Sequence, residues 1–370
     1  MIRKGARSSQ TKKEIRGCID LGSSFFRLLV IEGSFPAWGA FDPAGLEITG
    51  AHEDRRYVGW GEDLSVSGAI SSKSVARAQR LLSELVSGAR KLGCANPVIV
   101  GTNTLREARN ALEVVRGLER LAGLPLAVLS QYEEARLAYI GSAVFADARE
   151  FLAILDIGGT STEISWGHGI RMEGYMGFPL GTHQTRLLCG RRSYSAAGIR
   201  RAEAALAGEI RAAEAEQLAS EGVSRLPLGD ERPTILVTGG TAVSSVLCLR
   251  FMRALAPPFE EMYKITLDDV FLLKRRVAAL AVAGRERIMP LDADRMRLLP
   301  AGLVLVEALL RHQGIRSFSV TARDLRWGVA ITGGSLSGGG ASIDGERERA
   351  RRRAAARAGP GSPLEGASGR

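Results

Sequence analysis

Asp20-Leu-Gly-Ser-Ser-Phe-Phe-Arg-Leu-Leu-Val30 and Asp156-Ile-Gly-Gly-Thr-Ser-Thr-Glu-Ile-Ser-Trp166 are two versions of one pattern: an acidic residue, a turn of glycine, serine and threonine, and a new apolar run. Each follows a short apolar stretch, Cys18-Ile19 in the first copy and Phe151 to Leu155 in the second, so each reads as strand, tight turn, strand. Such a turn suits phosphate. Small residues at Gly22, Ser23 and Ser24, and at Gly158, Gly159, Thr160 and Ser161, let backbone N–H groups come close to an anion. Asp20 and Asp156 beside them can hold a divalent cation that offsets the phosphate charge. Two copies in one chain predict two related α/β domains facing each other across a phosphate-binding cleft.

A third element points the same way. Ile235-Leu-Val-Thr-Gly-Gly-Thr241 ends an apolar strand in a glycine turn and leads into a helical run from Ala242 to Leu255. A helix N-terminus reached through Gly239, Gly240 and Thr241 is an anion site.

Asp-Leu-Gly-Ser at 20–23, Gly101-Thr-Asn-Thr-Leu-Arg-Glu-Ala-Arg-Asn110, Glu133-Glu-Ala-Arg-Leu-Ala-Tyr139, Asp156-Ile-Gly-Gly, Ser161-Thr-Glu163, Gly239-Gly-Thr241 and Leu299-Pro-Ala-Gly302 occur in one order and spacing. In this the chain resembles the exopolyphosphatase/guanosine pentaphosphate phosphohydrolase family, from about residue 15 to about residue 332. The resemblance implies two actin-like (ribonuclease H-like) domains and a Mg²⁺- or Mn²⁺-dependent phosphohydrolase site in the cleft between them. It implies inorganic polyphosphate, guanosine pentaphosphate or both as substrate, and it leaves a homodimer open. A cleft that closes on such a ligand without turning it over is the alternative, with an actin-like ATPase further off. Longer members of the family carry an extra helical domain, and this chain resembles the short two-domain form.

The carboxylates can be sorted by the work hydrolysis needs. Ser130-Gln-Tyr-Glu133 has capping-box spacing, which gives Glu133 a structural role and leaves Glu134 without one. The resemblance independently points to Glu134 as the catalytic residue that activates water. It also implies Asp20 and Asp156 as metal carboxylates, Glu163 as a further acidic group for nucleophile or metal, and Arg106 as a guanidinium on the transferring phosphoryl. Three positions depart from the family pattern. Ser24-Phe25-Phe26 replaces Asn-Ser-Phe, Thr160 replaces a third glycine, and Asp324-Leu-Arg-Trp327-Gly328 replaces Gly-Leu-Arg-Glu-Gly. Altered phosphate-loop geometry is expected there.

The net charge of +10 concentrates at the ends. Residues 1–16 contribute +5 and residues 341–370 contribute +3, leaving +2 for all the rest, so the basic balance does not argue for specific nucleic-acid binding. Cys18, Cys94, Cys189 and Cys248 form no Cys-x-x-Cys pair, and His52, His168, His183 and His312 show no ligand spacing. With no apolar run long enough to span a membrane, a reduced, cytoplasmic protein without a membrane partner is expected.

The pattern along the chain predicts a basic, disordered segment at 1–14 and a first domain over 15–138, rejoined by 317–332. It predicts a second domain over 139–316 and a disordered tail over 333–370. Strands are expected at 16–20, 25–32, 97–101, 125–129, from 151 to about 177, 234–238 and 317–320. Helices are expected at 71–92, 104–121, 131–144, 192–219, 241–254, 266–283 and 292–312. Residues up to about 70 are expected to hold further strands without legible bounds.

Overall fold

The computed structural model describes residues 13–36, 45–190, 194–220, 225–229, 232–253, 262–282 and 289–334. Most of the two terminal segments expected to be disordered lies outside the described residues.

The first repeat builds β1 (Glu14–Leu21) and β2 (Phe25–Ser34), which pair antiparallel with Asp20 opposite Arg27. β3 (Glu47–Tyr57) extends the meander beside β2, and β4 (Val98–Gly101) and β5 (Leu126–Val128) add in parallel, giving the order β3-β2-β1-β4-β5. The second repeat builds β6 (Phe151–Ile157) and β7 (Thr162–His168), with Asp156 opposite Glu163. β8 (Arg171–Phe178), β9 (Thr234–Thr238), β10 (Tyr263–Thr266) and β11 (Ser317–Val320) complete a second sheet in the order β10-β11-β9-β6-β7-β8. From the repeat outward the two sheets have the same plan, three antiparallel strands and then two parallel ones, with β10 added at the second sheet's edge. The chain therefore folds as two α/β domains built on one plan.

Alternation along the strands shows how the layers stack. In the first sheet Ile19, Leu21, Phe26, Leu28 and Val30 face α2 (Ser72–Lys91) and α4 (Ala111–Ala122), while Cys18, Leu29 and Ile31 face α5 (Gln131–Ala143) and α11 (Leu325–Thr332). In β6, Leu155 and Ile157 face the large helical core of α7 (Ala196–Ser220), α8 (Gly240–Met252), α9 (Leu267–Val282) and α10 (Ala293–His312). Leu152 and Ile154 face the other way, onto Tyr139 and Ala143 of α5. Helix α5 is thus sandwiched between the sheets and apolar on both sides.

The expected long helices form close to their predicted bounds. The predicted helix at 104–121 is instead α3 (Asn103–Glu107) and α4, because Asn110 exchanges hydrogen bonds with the backbone of Ile70 at the break. Three eight-residue helices were not anticipated: α1 (Trp60–Ser67), α6 (Thr182–Cys189) and α11. Only α11 carries the rejoining segment to the first half. β11 pairs in parallel with β9 after the α8–α10 crossover, so residues 317–320 belong to the second sheet.

Candidate functional site

The register places the two repeats' aspartates at matching points. Asp20 sits between Arg27 of β2 and Val100 of β4, and Asp156 between Glu163 of β7 and Thr238 of β9. Both end their strands at the mouth of one cavity of about 440 Å³ between the halves. Gly22, Ser23 and Ser24, Gly158 to Ser161, Gly239 to Thr241, Glu134 and Glu163 line the same cavity.

The glycines are required by close approach. A Cβ at Gly22 would lie 2.9 Å from the Phe25 carbonyl oxygen, and one at Gly158 would lie 2.8 Å from that of Ser161. At Gly159 a Cβ would fall onto the Ser23 hydroxyl, so the first two loops touch across the cleft. Gly239 has φ +98, a conformation that favours glycine, and it turns β9 into α8 beside Asp156. The N-terminus of α8 opens on the cavity and brings a partial positive charge to it.

Glu133 and Glu134 divide as their spacing predicts. Ser130 Oγ accepts from the Glu133 N–H at 3.2 Å, and Glu133 accepts from the Ser130 N–H at 2.8 Å, which completes a capping box. Glu134 points into the cavity and accepts from Arg106 at 2.5 Å. Burial raises the pKa of Glu134 against the lowering effect of Arg106. Glu163 is buried beside it and accepts from Gln131 at 3.2 Å, with burial first and Glu134 second pushing its pKa well up.

Arg106 stands behind Glu134 and not on the cavity wall. It donates to Glu134, to the Leu129 carbonyl at 2.9 Å and to Asn103 at 3.3 Å. In this arrangement it fixes a carboxylate, where a reach to the phosphoryl was expected.

Three further residues enter the site, and of these only Asp324 stood out in the sequence, as part of the altered run at 324–328. Arg27 donates to Asp20 Oδ2 at 2.5 and 2.9 Å and to Asp324 at 2.6 Å, so one guanidinium ties the first loop to the N-terminus of α11. Asp324 is the N-cap of α11, accepts from the Arg326 N–H, and also pairs with the Arg326 side chain. Against the upward push of burial, Arg27 and Arg326 hold its pKa below the usual carboxylate value. The aspartate that replaces a glycine here thus serves helix and arginine. His183, in the first turn of α6, meets the Ser24 hydroxyl at 2.9 Å. A signal for Arg27 was present, since it stands seven residues after Asp20 as Glu163 does after Asp156. His183 left none, because its partner is distant in sequence, and Asp324 stood out only as a departure from the family pattern. Thr160 is buried, and its carbonyl accepts from Asn103 at 3.1 Å and Gln184 at 3.2 Å.

The donors also bear on a metal. Asp20 Oδ1 is buried with no hydrogen-bond partner among the described residues, whereas Oδ2 is taken by Arg27. Desolvation first and Asp324 next push Asp156 up to about 7. A cation there would relieve both carboxylates, and an all-oxygen donor pair fits Mg²⁺ or Mn²⁺. Among the described residues no group of three or more His, Cys, Asp or Glu is gathered to hold an ion, so waters and substrate oxygens would complete the shell. No described helix is long and apolar enough to cross a membrane, and all four cysteines are buried and free.

Solved structures share this architecture. An exopolyphosphatase-like protein aligns with TM-score 0.72 and 18% identity over 86% of this chain and 97% of its own. An exopolyphosphatase from Cytophaga hutchinsonii aligns with TM-score 0.66 and 18% identity over 86% of this chain and 97% of its own. The Ppx/GppA family member of Aquifex aeolicus aligns with TM-score 0.63 and 19% identity over 87% and 98%. At such identities the likeness is one of fold. The family profile of the Ppx/GppA phosphatases matches residues 42–333, and the chain belongs to that family.

Proposed function

We propose that the cleft takes the terminal phosphates of inorganic polyphosphate or guanosine pentaphosphate and hydrolyses the outermost phosphoanhydride. The observation that carries this is Glu134, a buried carboxylate without a capping role that lines the cavity opposite three phosphate-suited loops. A water between Glu134 and the terminal phosphorus would pass a proton to the carboxylate as its oxygen bonds to phosphorus. The P–O bond to the shortened chain breaks, and that chain leaves with the bridging oxygen. Arg106 holds the base in place, and a pKa raised by burial makes Glu134 a better proton acceptor than a solvated glutamate. Asp20 Oδ1 and Asp156 would hold Mg²⁺, which supplies charge neutralisation of the phosphate oxygens. Backbone N–H groups of the loops and the α8 N-terminus would bind the remaining oxygens.

Phosphate release from pure protein with Mg²⁺, comparing short- and long-chain polyphosphate, guanosine pentaphosphate and ATP, tests the reading. Release from polyphosphate or guanosine pentaphosphate, with little from ATP, is expected. Tight binding without release would favour the second reading, a ligand sensor. The observation behind that one is Arg27, which neutralises Asp20 from inside the site.

A further inference from the structure

Across the cleft, the first loop touches the second half through a serine. The Ser24 carbonyl accepts from the N–H groups of Val58 and Gly59 at 2.9 and 3.1 Å, which fixes the loop backbone. Ser24 lines the cavity, and its hydroxyl lies 2.9 Å from His183 Nε2. The His183 N–H donates to the Gly159 carbonyl at 2.8 Å. Its ring slots between two glycines, since a Cβ at Gly61 or Gly159 would lie 2.8 or 3.0 Å from the ring Cδ2. The ring is therefore held by backbone on both sides, is 2% exposed, and leaves Nδ1 without a partner among the described residues.

That orphaned nitrogen decides the tautomer. A proton on Nδ1 would leave a buried N–H unsatisfied and would draw the serine hydrogen toward Nε2, presenting only lone pairs to the cavity. A proton on Nε2 leaves a single lone pair unsatisfied, the smaller cost, and frees the serine hydrogen. Burial holds the His183 pKa down to about 4, with Arg186 on the next turn of α6 acting in the same direction, so the ring is neutral. Serine has one hydrogen to donate, and what accepts or donates behind it sets where that hydrogen points.

We propose that His183 is a positioning residue: by donating Nε2–H to Ser24 Oγ it aims the Ser24 hydroxyl into the cleft as a phosphate donor. The proposal rests on the phosphate cleft proposed above. Because loop and ring belong to opposite halves, the donor is assembled only when the cleft is closed.

Calorimetric titration of the full chain with tripolyphosphate and Mg²⁺ tests it. Ser24→Ala and His183→Leu should each weaken binding about ten- to a hundredfold, the range for one hydrogen bond to a charged group. The double variant should be no weaker than either single one. His183→Gln, which keeps an N–H donor, should recover most of the loss. Ser24→Asn should recover binding in the His183→Leu background, because an amide brings its own donors. Additive losses, or a fall in melting temperature with binding unchanged, would reduce His183 to a packing residue. Covalently phosphorylated Ser24 found by mass spectrometry would overturn the proposal too, by making His183 a base and Ser24 a nucleophile. Should His183→Leu not fold, ¹⁵N shifts of histidine-labelled wild type decide: the Nε2–H tautomer is expected, and Nδ1–H would sink the idea. Wild type that binds no tripolyphosphate refutes the phosphate cleft itself, whereas binding indifferent to His183 refutes only this assignment.

Discussion

Charge in the cleft is unevenly matched, and each side chain's partner predicts how it responds to change. Glu134 and Glu133 are adjacent yet do different work, so conservative amides should separate them. Glu134→Gln is expected to lower phosphate release by at least about 10²-fold while tripolyphosphate still binds, because the shape stays and the base goes. Glu133→Gln should cost far less, since glutamine serves a capping box; steady-state rates with calorimetric binding check both, and equal losses would sink the assignment. Asp156 gives a pH signature. Its folded pKa of about 7 lies above the unfolded 3.8, so its proton stabilises the fold at low pH, and that contribution is lost as pH rises from about 4 to about 7. Without divalent cation, the melting temperature of Asp156→Asn relative to wild type should therefore climb across that window and level off above it. A difference independent of pH would mean that Asp156 is not held protonated. The repeat made Asp20 and Asp156 legible as cavity residues, because each sits at a strand end, while Glu163 was read from the family resemblance. Arg106 was legible as a site residue, but its direction was not, since only tertiary packing puts Glu134 in front of it. His183 was illegible for the same reason, its partner lying 159 positions away.

Helices α5 and α11 carry the site's two ends, Glu134 and the Asp324 cap, and they cross at glycines. A Cβ at Gly141 would fall onto the Asp324 carbonyl and lie 2.7 Å from the Gly328 nitrogen, and one at Gly328 would fall onto the Leu137 carbonyl. Backbone cannot yield as a flexible side-chain tip can. Gly141→Ala and Gly328→Ala should each destabilise by about 1–3 kcal/mol or more, and both should reduce phosphate release by shifting Glu134 against the loops. Gly208 in α7 meets nothing within 4 Å, so Gly208→Ala should instead stabilise by roughly 0.5–1 kcal/mol. Denaturant titration checks all three, and a neutral Gly328→Ala would show that the crossing has slack. The same packing explains which elements could be read. Helix α2 shows its stripe because one face is wet: Ala78, Leu81, Leu82, Leu85 and Val86 are buried, as their spacing predicts. Every residue of α11 is buried, so it has no period to read. The eight-residue α1 and α6 give too few turns for a pattern, and the four-residue β10 is placed by its antiparallel pairing with the distant β11.

At the scale of the whole molecule, the halves are joined firmly on one side of the cleft and lightly on the other. The firm side is α5, buried against both sheets. On the rim, β3 and α1 of the first half meet α6 and α10 of the second through ion pairs: Arg55–Asp292 at 2.6 Å, Arg297–Glu62 at 2.9 Å and Arg186–Glu62 at 3.5 Å. Arg297 also lies over the Tyr57 ring, 5.0 Å from its centroid. The side chains of Arg55, Asp292, Arg297 and Glu62 are 38, 42, 35 and 34% exposed, which makes these pairs worth about 0–1 kcal/mol each and open to screening. They are too weak to hold the fold and of the right size to bias closure, since about 1.4 kcal/mol changes a two-state ratio tenfold. Arg55→Ala combined with Arg297→Ala should lower the melting temperature by no more than a few degrees. It should nevertheless expand the molecule in small-angle scattering and speed hydrogen exchange in the loops at 22–24 and 158–161. Salt near 1 M should produce the same expansion in wild type and add little in the variant, where only the longer Arg186–Glu62 pair is left to screen. Saturating tripolyphosphate should return both to the compact form by closing the cleft on ligand. If salt expands variant and wild type alike, the rim pairs do not set the opening, and the closed state is held by the buried α5 and α11 contacts alone.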